Sequence, residues 1–192
     1  MTLSKIALFV AINFALSITA IAQTNYHTQV VNIKLNGTSN LHDWEMKAVS
    51  GTSAAFFVVT NQEVTSLSRL NFSLPVKNLK SGRSVMDKIT YKALSTAANP
   101  NITFVLTSAT IVSTGRNNYK LNCQGKMSIA GKTNQTELVA TGIYNPADKS
   151  FTVTGIKKMK MSEYNVKPPT ALLGTIKTGN DISISYDLKF KM

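Results

Sequence analysis

The stretch Asn40–Ala48, NLHDWEMKA, gathers one of the two histidines of the chain, an aspartate beside it and the single tryptophan. A histidine held by a carboxylate is the general-base half of many hydrolytic sites. On a flat strand, however, neighbouring side chains point to opposite faces. His42, Trp44, Met46 and Ala48 would share one face, and Asp43, Glu45 and Lys47 the other. His42 and Asp43 then cannot pair, and the catalytic reading falls away. Two readings remain. Either Trp44 anchors an ordinary core below a surface histidine, or Trp44 packs against a ligand with His42 near the ligand's polar end.

Other residues with chemical potential are weaker. AGKT at 130–133 resembles the end of a phosphate-binding loop. That motif needs a glycine five positions before Gly131, where Lys126 stands, so the stretch reads as a hairpin turn. Two histidines and one cysteine do not supply the clustered ligands of a metal site. A nucleophilic pair of Cys123 with His42 would need tertiary contact. A lone buried cysteine is more often a small core residue, and Cys123 shares its strand parity with Leu121, Met127 and Ile129.

The elements that must position these residues are mostly strands. Period-two alternation is clearest at the C-terminus, where Ile182, Ile184, Tyr186, Leu188, Phe190 and Met192 share one face. The pattern recurs around Val31–Leu35, Phe72–Val76, Ile102–Leu106, Leu121–Ile129 and Phe151–Met161. Ser81-Gly82, Gly115, Gly131-Lys132, Asn145-Pro146 and Gly179-Asn180 punctuate the runs as turn signals. Many short, punctuated strands predict an all-β antiparallel sandwich or barrel. One segment differs: Met86, Ile89, Thr90, Ala93, Leu94 and Ala97 fall at helical spacing. Ser84 and Asp87 form a weak capping box, and Asn99-Pro100 is a stop. The spacing predicts one amphipathic helix over 85–98, lying against the sheet.

Residues 1–22 read as a cleaved signal peptide: Lys5, an apolar run from Ile6 to about Ile18, then Ala20-Ile21-Ala22 before the cut. Gln23 rather than cysteine follows, so the lipoprotein pattern is not met. Residues 23–192 then form a single exported domain, periplasmic or secreted. With one cysteine it has no internal disulfide and must hold together by burial. The full chain has 21 basic and 9 acidic residues and a net charge of +12. That excess suits an anionic membrane surface. Export argues against nucleic acid, and the scatter of the cations leaves simple solubility open.

Several ordered motifs resemble the YceI-like, polyisoprenoid-binding family of secreted bacterial proteins. GTSNLHDWEM is similar to its early strand pair. LPVKNLKSGRSVMDKITYKALSTAANPNITF is similar to its central strand, basic turn, helix and Asn-Pro strand. GKMSIAGKTNQTEL resembles its hairpin, and MKMSEYNVKPPTALLGTIKTGNDISISYDL its terminal signature. Tyr164 and Asn165 depart from the family, which commonly has Phe-Gly there. The resemblance implies a lipocalin-like antiparallel barrel of about eight strands around an elongated apolar cavity, with one amphipathic helix.

It also implies a non-enzymatic carrier of a long apolar lipid: a polyisoprenoid, a polyprenyl phosphate or a quinone. No cofactor is expected beyond such a bound lipid or quinone. Along a chain of that kind, burial would gain on the order of 0.8 kcal/mol per methylene. The expected chain-binding residues are Trp44, Met46, Phe72, Leu74, Phe104, Leu106, Met127 and Met161, with Met86 and Leu94 (and Ile89 beside them) from the helix. His42, Tyr164, Lys80 or Arg83 would reach the polar end. Methionines, Met159 among them, suit an adaptable wall. A secreted barrel with a packed interior and no ligand is the alternative, and an enzyme using Cys123 a third reading. Small residues at Gly125, Ala140, Gly142 and Gly155 would leave room for a ligand. A second copy of the chain is the remaining partner considered.

Overall fold

The computed structural model describes residues 23–192, so the expected leader lies outside the described residues. Ten strands form the structure: β1 (Gln23–Ser39), β2 (Trp44–Ala48), β3 (Thr52–Thr60), β4 (Glu63–Pro75), β5 (Asn101–Gly115), β6 (Asn118–Ile129), β7 (Lys132–Asn145), β8 (Ser150–Lys160), β9 (Thr170–Ala171) and β10 (Ile176–Lys191). β1, β3, β4, β5, β6, β7, β8 and β10 pair antiparallel in that order. β10 returns to β1 and closes an eight-stranded barrel. Closure leaves no long free edge. β2 pairs with the second half of β1, while β3 takes the first half, so the two share one side of that strand.

Alternation explains most strands. In β6, Tyr119, Leu121, Cys123, Met127 and Ile129 are buried and the intervening lysines are exposed. β3 escapes that pattern: Ser53, Ala55 and Phe57 face the core, but Ala54, Phe56 and Val58 on the other face are apolar too. Outward Phe56 is covered by Arg69, whose guanidinium sits 5.5 Å from the ring centre. The β6–β7 hairpin turns through Ala130 and Gly131, both at positive φ, as a two-residue loop requires. β3–β4 turns the same way through Asn61 and Gln62, without a glycine to announce it.

Three local expectations are corrected. The helix, α1, spans Ser84–Ala93 rather than 85–98. Ser95 adopts a left-handed φ of 50°, and the amides of Ser95 and Thr96 bond back to Lys92 and Tyr91, a Schellman closure that ends the helix before Asn99-Pro100. The Ser84–Asp87 capping box does not form, because Ser84 is already helical and Arg83 is the N-cap. Asp87 instead accepts the backbone N–H and hydroxyl of Ser81, at 2.8 and 2.7 Å. Gly179-Asn180 is not a turn but lies within β10, where the register against β1 shifts. The Thr38 side chain fills the space a Cβ on Gly179 would need.

One end of the barrel is plugged by aromatic rings. Phe57 stands edge-on to Tyr26, Phe151 and Phe190, at 5.2, 4.8 and 5.7 Å between centroids, and Tyr119 packs on Phe151. The other end has no such plug. There α1 lies on one side, and the segment from Met161 to Ile176 on the other.

Candidate functional site: an apolar tube open at one end

Two apolar chambers occupy the barrel above the aromatic plug. The inner one, about 140 Å³, is walled by Phe72, Leu74, Phe104, Met127, Ile184 and Leu188, among others. The outer one, about 350 Å³, lies between Trp44 and Met46 of β2, Met86, Ile89 and Leu94 of α1, and Met159, Met161, Tyr164 and Val166. Leu35 and Ile129 line both, so the chambers abut. The outer volume falls at the lower end of the range for small-molecule sites.

The outer wall is built by short-range devices. β2 is five residues long, and its free edge exchanges two 2.8 Å backbone bonds between Lys47 and Lys80. That bridge brings the Ser81 turn, and so α1, over the barrel mouth. The Tyr91 hydroxyl lies 2.9 Å from the Leu79 carbonyl and accepts from Lys80 Nζ at 2.9 Å. Thr90 Oγ1 lies 3.4 Å from the Met46 sulfur. On the opposite side, a tight turn over Met161–Tyr164 ends on Asn165, at φ 57° and ψ 18°. Asparagine tolerates this left-handed conformation better than most residues do. Tyr164 is buried, with its hydroxyl 2.9 Å from Thr136 Oγ1, and burial pushes its ionisation upward.

Of the residues expected to contact a ligand, Trp44, Met46, Met86, Leu94, Met161, His42 and Tyr164 line the outer chamber. Phe72, Leu74, Phe104 and Met127 line the inner one. Leu106 lines neither and packs into the surrounding core. His42 is not on a strand. β2 begins at Trp44, and His42 sits in the exposed turn before it, its Nδ1–H donating to the Asp43 backbone carbonyl at 2.7 Å. Trp44 is half-buried; its Nε1–H donates to the Thr38 carbonyl at 2.9 Å and its ring covers Gly37. Tyr164 belongs to the wall rather than the rim. Arg83 lines the outer chamber, whereas Lys80 does not. Cys123 faces the inner chamber, which exposed His42 does not line, and burial pushes its thiol up to about 11. Among the described residues, no cluster of His, Cys, Asp and Glu could hold a metal ion, and no helix is long and apolar enough to cross a membrane.

The glycines expected to leave room do something else. A Cβ on Gly125 would strike the Phe104 ring, one on Gly142 the Phe151 ring, and one on Gly155 the Tyr186 hydroxyl. They make space for neighbouring aromatic rings, and only Ala140 of the four lines the inner chamber. The Tyr186 ring crosses Gly155 to a point where the β7–β8 ladder stops, and its hydroxyl donates to the Val139 carbonyl at 3.2 Å. Burial raises that hydroxyl to about 12. Sequence reasoning also missed Lys157. It pairs with inward-facing Ile184 and so shares its face, lining the inner chamber beside apolar residues. Counting parity back from Met159 would have found it.

A family model described as a YceI-like domain matches residues 14–190. No curated protein matches the chain. Among solved structures, BcnA of Burkholderia cenocepacia superposes with a TM-score of 0.64 at 17% identity, covering 83% of this chain and 95% of that one. A polyisoprenoid binding domain from Saccharophagus degradans, implicated in plant cell wall breakdown, gives 0.63 at 9% identity, covering 86% and 97%. A Campylobacter jejuni YCEI protein gives 0.54 at 13% identity, covering 73% and 81%. At these identities the superpositions speak for the fold alone. The family match spans most of the chain and agrees with the barrel, and on that ground the chain belongs to the YceI-like family.

Proposed function

We propose that this protein is a non-enzymatic binder or carrier of an apolar chain lipid, a polyisoprenoid, polyprenyl phosphate or quinone, held inside the barrel of an exported, periplasmic or secreted domain. The observation that carries the reading is the tube itself: two abutting chambers with apolar walls, plugged by aromatic rings at one end and reaching the surface between α1 and the Met161–Ile176 segment at the other. A flexible chain suits such walls. Met46, Met86, Met159 and Met161 surround the outer chamber and can re-pack around it. The solved structure from Saccharophagus degradans described as a polyisoprenoid binding domain supports the ligand class. The packed structural barrel is favoured by one observation, the filling of Gly125, Gly142 and Gly155 by neighbouring side chains. Mass spectrometry of an organic extract of the protein purified from its own host decides between them. An isoprenoid or quinone in stoichiometric amount is expected, and a protein free of lipid would leave the packed barrel as the account.

A further inference from the structure

The rim around the tube's mouth is apolar where a water-facing rim should be polar. Leu173 is fully exposed, Leu172 is 73% exposed, and Val85 and Leu41 are 68% and 64% exposed. Leu172 and Val85 line the outer chamber, so the patch is continuous with the tube. The leucine tip is also held in a costly conformation. Leu172 and Leu173 both adopt left-handed φ values, 48° and 55°, which are uncommon for residues with a bulky side chain. Nor is the tip loose. Asn40 clamps it to the turn that carries Leu41: its side chain donates to the Thr175 carbonyl at 2.9 Å and accepts the Lys177 amide at 2.8 Å.

The charge around this patch is mostly basic. From Tyr164 to Asn180 the chain carries Lys167 and Lys177 and no acid. Arg83 at the N-cap of α1 and Lys88 and Lys92 along it are exposed, while Asp87 is buried against Ser81. The acids of this end sit among lysines: Asp43 and Glu45 share a groove with Lys47, Lys80 and Arg83, where Glu45 pairs with Lys47 at 3.0 Å, and Glu163 and Asp181 share another with Lys158 and Lys160, where Lys160 pairs with Asp181 at 2.7 Å. Exposed apolar tips ringed by cations match the two contributions that hold peripheral proteins on anionic bilayers: burial of apolar side chains at the acyl boundary, and attraction to headgroups.

We propose that this rim is a docking surface for an anionic lipid bilayer. Leu41, Val85, Leu172 and Leu173 enter the headgroup region, and the mouth is set directly against the membrane. A lipid chain then passes between bilayer and tube without crossing water. The inference rests on the reading of the barrel as a lipid binder, and the test separates the two.

Purified protein and variants with the same N-terminus are sedimented with vesicles of phosphatidylcholine alone or with phosphatidylglycerol added. Uptake of a fluorescent prenyl analogue is measured separately, without vesicles. The wild type should sediment with the anionic vesicles and be released by salt. Leu173→Asp, at a residue outside the cavity lining, should weaken vesicle binding by about tenfold or more, and Lys88→Glu with Lys92→Glu by about tenfold. Both variants should take up the analogue as the wild type does. Uptake without recruitment to anionic vesicles would overturn the docking surface and leave the lipid binder standing. Equal recruitment of wild type and Leu173→Asp would also overturn it. So would a wild-type dimer that Leu173→Asp dissociates with no vesicle binding, since the rim would then be covered by a second copy. Failure of both uptake and recruitment would overturn both readings.

Discussion

Trp44 faces two environments. Its indole covers Gly37 and bonds the Thr38 carbonyl, and it also lines the outer chamber, the proposed lipid site. A purely structural tryptophan replaced by alanine costs roughly 3–5 kcal/mol, the usual large-to-small penalty. Trp44→Ala should weaken prenyl-lipid binding by more than its loss of stability explains, measured by lipid titration with unfolding curves alongside. Equal affinity in the two proteins would assign Trp44 to the core alone. Gly142 makes the opposite prediction. Its missing Cβ is occupied by the ring of Phe151, a fully buried residue of the aromatic plug, and by Leu121. Gly142→Ala should destabilise by about 1–3 kcal/mol, as overpacking does. Phe151→Leu in the same chain should recover part of that loss, read from chemical denaturation. Additive losses would show that the ring and the glycine are not coupled.

At the scale of elements, the placement of α1 hangs on Asp87. Burial acts to raise its carboxyl, but the Ser81 hydroxyl and amide, helped by Lys80, outweigh that and hold it below the ordinary value of 3.8. A carboxyl depressed in the folded state binds fewer protons than in the unfolded chain. The stability it lends is therefore present above the unfolded value, about 3.9, and is lost as pH falls through the folded value. Asp87→Asn should remove stability at neutral pH. Its stability should also fall less steeply than the wild type's below about pH 4, the region of the unfolded carboxyl. Denaturation curves across acid pH check this, and parallel curves would place the acid sensitivity elsewhere, with Asp148 beside Ser150 as the next candidate.

For the whole molecule, the pairing of β1 with β3 makes the position of the proposed leader cut a structural matter. Gln23–His27 of β1 pair with β3. A chain cut after Ala22 would keep that pairing, and a cut a few residues later would strip it. N-terminal mapping of exported protein should give Gln23, and an intact leader on the exported protein would contradict the assignment of residues 1–22.

Alternation in the sequence was enough to assign β6 and β10, because half-buried strands must alternate, and it placed Cys123 and Met127 inward correctly. It failed for β3, whose outer face is apolar because Arg69 covers Phe56 from a neighbouring strand. It also failed at His42, which a turn takes out of the pattern. The parity argument that set His42 apart from Asp43 therefore lost its premise, since neither lies on a strand. Residue types and spacing did determine that the helix would be amphipathic and that the methionines would gather inward. Three things were decided only by tertiary structure: which glycines are filled, where Tyr164 points, and that the leucine tip borders the mouth. Each depends on a residue distant in the chain. Phe104 reaches Gly125, Thr136 meets Tyr164, and Asn40 clamps the loop before Lys177, so no local pattern could carry them.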